Sequence, residues 1–302
     1  QFGPGDTSKT IPILISEDSY AEGTETASIT LSMAQGGAVL GSPATASIVI
    51  IDDASEPTAN PIDDSQIFVC QHYHDFLNRE PDASGLAFWI NNIESCGANA
   101  SCREVKRIDT SAAFFLSIEF QETGGTVERV VRAAFNRRAL IAEFLPDSQQ
   151  LGNGVIVGQA GYQTVLETNK VAYYDSFVAR PEFISVFGGL TNEQFVDAMN
   201  GNTSGALSTS ERDALIAGLN SATKTRAQAL RMVVEDADFF NSESNRAFVL
   251  MQYLGYLRRD PDEAGFTFWL NKLNSFGGDF RKAEMVKAFI FSTEYRQRFG
   301  SQ

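Results

Sequence analysis

The chain has 302 residues, 43% of them apolar, and a formal net charge of -14. Its length and apolar content support buried cores in two domains or a repeat array, while its acidity excludes a surface built to grip nucleic-acid phosphates. No apolar run approaches the roughly 20 residues that span a bilayer as a helix, and an opening at Gln1 inside a strand-like pattern reads as a processed product or a fragment.

Residues 1–53 are predicted to form about three strands. Thr10–Ser16, Glu25–Met33 and Thr45–Ile51 are short, rich in β-branched residues and partly alternating, and turns of Gly, Asp and Pro separate them. The Pro-Gly-x-Thr entry, the acidic turn followed by Glu-Gly-x-Glu, and the closing Asp52-Asp53 pair resemble the C-terminal half of a Calx-beta domain, an immunoglobulin-like sandwich. The resemblance implies a partial sandwich, because three strands cannot close a two-sheet core. Either upstream sequence of a longer protein or strands of a neighbouring subunit would then complete it. It also implies a calcium site: Glu17, Asp18 and Glu22 match the family's acidic turn, and Asp52 and Asp53 its closing pair. The alternative for these five is solvated turn residues.

Residues 54–65 carry two prolines and several acidic residues without apolar periodicity, which predicts a semi-rigid linker. From residue 66 onward the pattern is helical. Phe68–Ile93 and Phe248–Leu273 coincide at 11 of 26 positions at a constant offset of 180, so the chain uses this stretch twice. Each copy reads as a helical hairpin. Pro81 and Pro261 stop the first helix, Asp82 and Asp262 cap the second, and Gly85 and Gly265 allow close helix approach near its first turn. The two tryptophans, Trp89 and Trp269, stand at equivalent positions and are expected to anchor the core.

An aromatic tail follows each hairpin: AFFLSIEF at 113–120 and AFIFSTEY at 288–295. Related tails at 176–183 and 233–240 extend the count to about four units, near 66–121, 127–184, 192–241 and 246–299. The fold class expected is therefore α+β and multidomain, a partial β-sandwich followed by a mainly helical domain of about four repeat units. The segments NREPDASGLAFW and RRDPDEAGFTFW with their tails resemble the bacterial domain-of-unknown-function family 4214, itself distantly similar to phycobilisome linker domains. That resemblance implies a helical appendage of secreted or surface proteins, with no catalytic residues to carry over.

Cys96 and Cys102 flank a short polar loop and are expected to form a disulfide if the protein is exported, leaving Cys70 as the odd thiol. Asp260, Asp262 and Gly265 imitate part of an EF-hand loop, as do Glu80, Asp82 and Gly85, but position twelve is Asn271 or Asn91, so capping is the better account. His72 and His74, two apart on a helix, face different ways and read as ordinary histidines. Arg129, Arg132, Arg137 and Arg138 form a local basic cluster, to be explained by internal salt bridges or by contact with another subunit. Asn99 and Asn202 head sequons, which predicts surface positions. The expectation is an exported structural or interaction protein, not an enzyme, that assembles with copies of itself at the cell exterior. The runner-up is a calcium-dependent adhesion or ligand-binding module.

Overall fold

The computed structural model describes residues 7–32, 34, 37–52 and 59–300. Two strands, β1 (Glu25–Thr30) and β2 (Thr45–Ile50), form an antiparallel ribbon with Glu25 opposite Ile50 and Thr30 opposite Thr45. The predicted strand at Thr10–Ser16 does not form. Among the described residues its backbone has no strand to share a ladder with, and Ile11, Ile13 and Ile15 stay 65%, 47% and 55% exposed. Extended structure is stable only when its amides and carbonyls are paired. Further along, Ser19 N donates to Phe299 O (2.9 Å) and Tyr20 Oη to Gln297 O (2.9 Å), which ties the β segment to the end of the helical body.

The expected linker is shorter than residues 54–65. Residues 53–58 lie outside the described set, but Asn60 caps a short 3₁₀ turn at Pro61–Asp63, Ile62 is fully buried, and Asp63 pairs with Arg296 at 2.6 Å. Buried apolar surface and a cap tie this stretch into the helical body.

The first hairpin comprises α1 (Ser65–His72), continued by a π turn at Tyr73–Leu77, and α2 (Ala83–Glu94). Then follow α3 (Ala100–Leu116), α4 (Ile118–Glu122), α5 (Gly124–Phe135), α6 (Ile141–Gly152), α7 (Tyr162–Val178), α8 (Pro181–Phe187), α9 (Asn192–Asn202), α10 (Thr209–Asn220) and α11 (Arg226–Val234). The second hairpin is α12 (Ala237–Met251) with a π turn at Gln252–Leu257, then α13 (Glu263–Ser275), and α14 (Met285–Ile290) and α15 (Thr293–Arg296) close the body. In each copy the first helix stops before its proline. Asn78 and Arg258, at φ 51° and 53°, end the π turns in the left-handed region. Asp82 and Asp262 then cap the second helices, accepting from Gly85 N at 2.8 Å and Gly265 N at 2.7 Å.

The four tails share one device. The helix breaks, and a large ring three residues past the break is buried: Phe120 after Ser117, Phe183 after Arg180, Phe239 after Asp236 and Tyr295 after Ser292. Aligned on these breaks, the third tail sits one residue earlier than its letters suggest. The expected boundary between the third and fourth units, at residues 241 and 246, falls inside the continuous α12, so these units share a helix.

The two hairpin copies meet at their π turns. Phe76 packs edge-on against Tyr256 with ring centres 5.1 Å apart, and Gly255 leaves the room that Phe76 fills. Asp75, 2% exposed, receives Arg298 at 2.9 and 3.0 Å. His72 is also buried here. It links Phe68 O (2.7 Å) through Nδ1 to Ser111 Oγ (2.6 Å) through Nε2, and Ser111 continues to Tyr256 Oη at 2.6 Å.

Candidate interaction groove

A groove of about 470 Å³ opens between α2 and the junction of α3 with α4. Its floor starts from a local necessity. The π turn points Tyr73 at the first turn of α2, where Gly85 leaves space for the ring's hydroxyl. Arg79, just past the left-handed residue, lies over the Tyr73 ring at 4.9 Å and donates to Glu119 twice, Nε at 2.6 Å and Nη2 at 3.0 Å. The Ser84 hydroxyl and the Gly85 amide hold the Asp82 carboxyl below its usual range, and Asp82 stands 3.7 Å from Arg79. Trp89 and Phe114 form the inner wall, with ring centres 5.8 Å apart. Phe88 and Ile118, about 60% exposed each, make an apolar outer rim.

The same constellation recurs in the second copy. Arg259 lies over Tyr253 at 5.3 Å and meets Glu294 at 2.5 Å. Trp269 packs on Phe289 at 5.5 Å, Gly265 faces Tyr253, and Phe268 is 58% exposed. The difference lies in cover. In the first copy the loop after α6 crosses the groove, Val157 N donates to Glu119 Oε2 (3.0 Å), and the Glu119 side chain is 8% exposed. In the second copy the Glu294 side chain is 47% exposed. Tyr, Arg, Asp, Gly, Trp and Glu stand in both copies of the sequence, so the duplicated ion pair was legible there, although only folding brings Arg79 to Glu119.

Residues 58–124 and 231–299 match the family model described as Domain of unknown function (DUF4214). Both hairpins thus lie within the stretches similar to this family. Each DUF4214 match takes in the hairpin, its Arg–Glu pair and its tail, and the intervening α5–α11 lies largely outside the matches. No curated protein and no solved structure matches the chain.

The other predicted residues fall elsewhere. Cys96 and Cys102 are joined, closing the loop between α2 and α3, and Cys70 on the first hairpin is a free thiol, half-buried. Of the calcium candidates, Asp52 closes a turn by accepting from Glu22 N and Gly23 N at 2.9 Å each. Asp18, then Glu25, burial and Asp52, push the Glu22 carboxyl up. Asp18 also accepts from Tyr20 N at 2.8 Å, Glu17 is exposed, and Asp53 lies outside the described residues. Among the described residues no group of three or more His, Cys, Asp or Glu is placed to hold a metal ion, and no helix is long and apolar enough to cross a membrane.

The basic cluster is dispersed by folding. Arg137 pairs with Glu143 (2.6 Å) and Glu182 (3.0 Å), Arg138 with Glu263 (2.6 Å), and Arg132 with Glu243 (3.5 Å), while Arg129 is buried. Three of the four serve internal ion pairs and the fourth is not on the surface. Asn99 caps α3, and Asn202 is half-buried because its amide donates inward to Ala133 O and Ala134 O.

Proposed function

We propose that the protein is an exported structural subunit that assembles with copies of itself, each β segment adding to the β layer of a neighbour. One observation carries this reading. Ile11, Ile13 and Ile15 alternate in an exposed, unladdered stretch that precedes in sequence a two-stranded ribbon whose Val49 is 57% exposed, with Leu31 and Ile51 exposed at its ends. A two-stranded ribbon alone is marginal in water, and a free edge invites another strand. Strand addition would bury this apolar surface and complete the Calx-beta-like sandwich. The Cys96–Cys102 bridge supports an oxidising, extracellular setting. The exposed rims at Phe88 and Phe268 offer the helical body further contact surface.

Electron microscopy and light scattering of the purified chain test it. Ordered assemblies that vanish when Ile11 and Ile13 are both changed to Lys, with the helical body still folded, are the expected result. Assemblies that persist in a chain lacking residues 1–52 overturn strand exchange. A second reading, a calcium-dependent adhesion or ligand-binding module, draws support from the crowding of Asp18, Glu25 and Asp52 around Glu22. It requires a calcium-dependent rise in Tm that Asp52→Ala with Asp53→Ala removes.

A further inference from the structure

A smaller pocket, about 220 Å³, lies where the end of α3 and the start of α5 meet α12. Phe115, Leu116, Phe240 and Ala247 form its apolar wall, and its charged residues are Arg129 and Glu243. Leu116 and Ser244 are exposed at its mouth, so it is open to solvent.

Arg129 is the unusual member. It is 6% exposed, and its Nη2 donates to Gln121 O (2.9 Å) and Thr126 Oγ1 (3.3 Å). Its guanidinium carbon stands 4.6 Å from the centre of the Phe240 ring, and its buried Nε has no acceptor. No carboxylate among the described residues forms an ion pair with it.

The nearby carboxylates are engaged elsewhere. Glu122 and Glu235 both hold Lys170, at 2.5 and 2.7 Å, and Glu235 also meets Arg231 at 3.1 Å. Glu243 lies between Arg132 (3.5 Å) and Arg246 (3.2 Å). Burial pushes the Glu128 carboxyl up to about 8, so at neutral pH it is a neutral acid. The pocket wall itself thus holds one guanidinium, Arg129, and one carboxylate, Glu243, which Arg132 and Arg246 already flank.

A buried guanidinium with an unused donor is costly unless an anion meets it, and its planar fork suits a carboxylate. Glu243 in the same pocket disfavours a doubly charged phosphate. The volume, below the roughly 300–1,000 Å³ of sites for drug-sized ligands, limits the ligand to a short one. We propose that this pocket binds a small organic monocarboxylate, its head on Arg129 and its apolar tail among Phe115, Leu116, Phe240 and Ala247. The site is independent of the β segment.

Hexanoate is the probe, titrated calorimetrically into the full chain at neutral pH and compared with 1-hexanol. Hexanoate should bind saturably and at least about ten-fold more tightly than the alcohol. Arg129→Met should erase that preference. Ala247→Leu, which fills the cavity from its wall, should weaken hexanoate at least about ten-fold with an unchanged circular dichroism spectrum. If Arg129→Met does not fold, the acid-to-alcohol ratio and the Ala247→Leu variant decide the matter. No saturable hexanoate binding, equal binding of acid and alcohol, or unchanged binding in a folded Ala247→Leu protein overturns the proposal.

Discussion

The hydroxyl of Tyr73 occupies the space where a side chain on Gly85 would begin, and 180 residues later Tyr253 stands in the same relation to Gly265, where an added Cβ would lie 2.6 Å from the hydroxyl. The repeat is thus a steric arrangement as much as a sequence pattern. A tyrosine from the π turn sits against the first turn of the next helix, and the arginine over its ring reaches the glutamate of the tail.

Gly85→Ala forces a methyl group into that hydroxyl and should destabilise the protein by about 1–3 kcal/mol, the usual cost of overpacking. Tyr73→Phe removes the obstructing oxygen. In urea unfolding the double variant should recover much of the loss, and strictly additive losses would mean that the two residues do not meet.

His72 titrates against the fold. Burial lowers its pKa to about 4 from the ordinary value of 6.5. Between these values the unfolded chain takes up a proton that the native imidazole refuses, so stability should fall as pH drops from 6.5 to 4, by on the order of 3 kcal/mol. The second copy has Gln252 at this position, donating to Phe248 O at 3.0 Å as His72 bonds Phe68 O. His72→Gln should therefore fold and lose this slope, which chemical unfolding at stepped pH reads directly.

Glu128 works in the opposite direction. Burial raises its carboxyl to about 8, so the unfolded chain releases a proton first and this residue should cost stability progressively from pH 4.5 to 8. Glu128→Gln, which keeps an oxygen to accept from Ala139 N, should be more stable than the parent at pH 8 by on the order of 4 kcal/mol. The two slopes oppose between pH 4.5 and 6.5, so each is measured as its own variant against the parent.

Asp75 joins the two repeats. It is buried, it receives both amino groups of Arg298, and Arg258 stands 3.7 Å away. Asp75→Asn leaves those guanidinium groups without their carboxylate and should cost about 3–5 kcal/mol, the range for breaking one side of a buried pair. Hydrogen exchange should show the loss in both π turns together. Protection lost in the first copy alone would show that the ion pair does not couple them.

What the amino-acid order by itself determined is local. The offset of 180 residues announced the two hairpins, and Asp82, Asp262, Pro81 and Pro261 set helix starts and stops, because capping and proline sterics act within a few residues. The first helix of each copy ends a few residues before its proline. A π turn ending at Asn78 or Arg258 leaves no mark as strong as proline. Distant partners decided the rest. Thr10–Ser16 has the composition of a strand, yet among the described residues no strand pairs with it, and pairing is not a property of one segment. The arginines read as one basic cluster because they are adjacent in sequence. Helical geometry and packing sent three to separate carboxylates and buried Arg129 beside an apolar pocket, since which residues α5 meets depends on α9, α11 and α12, far along the chain.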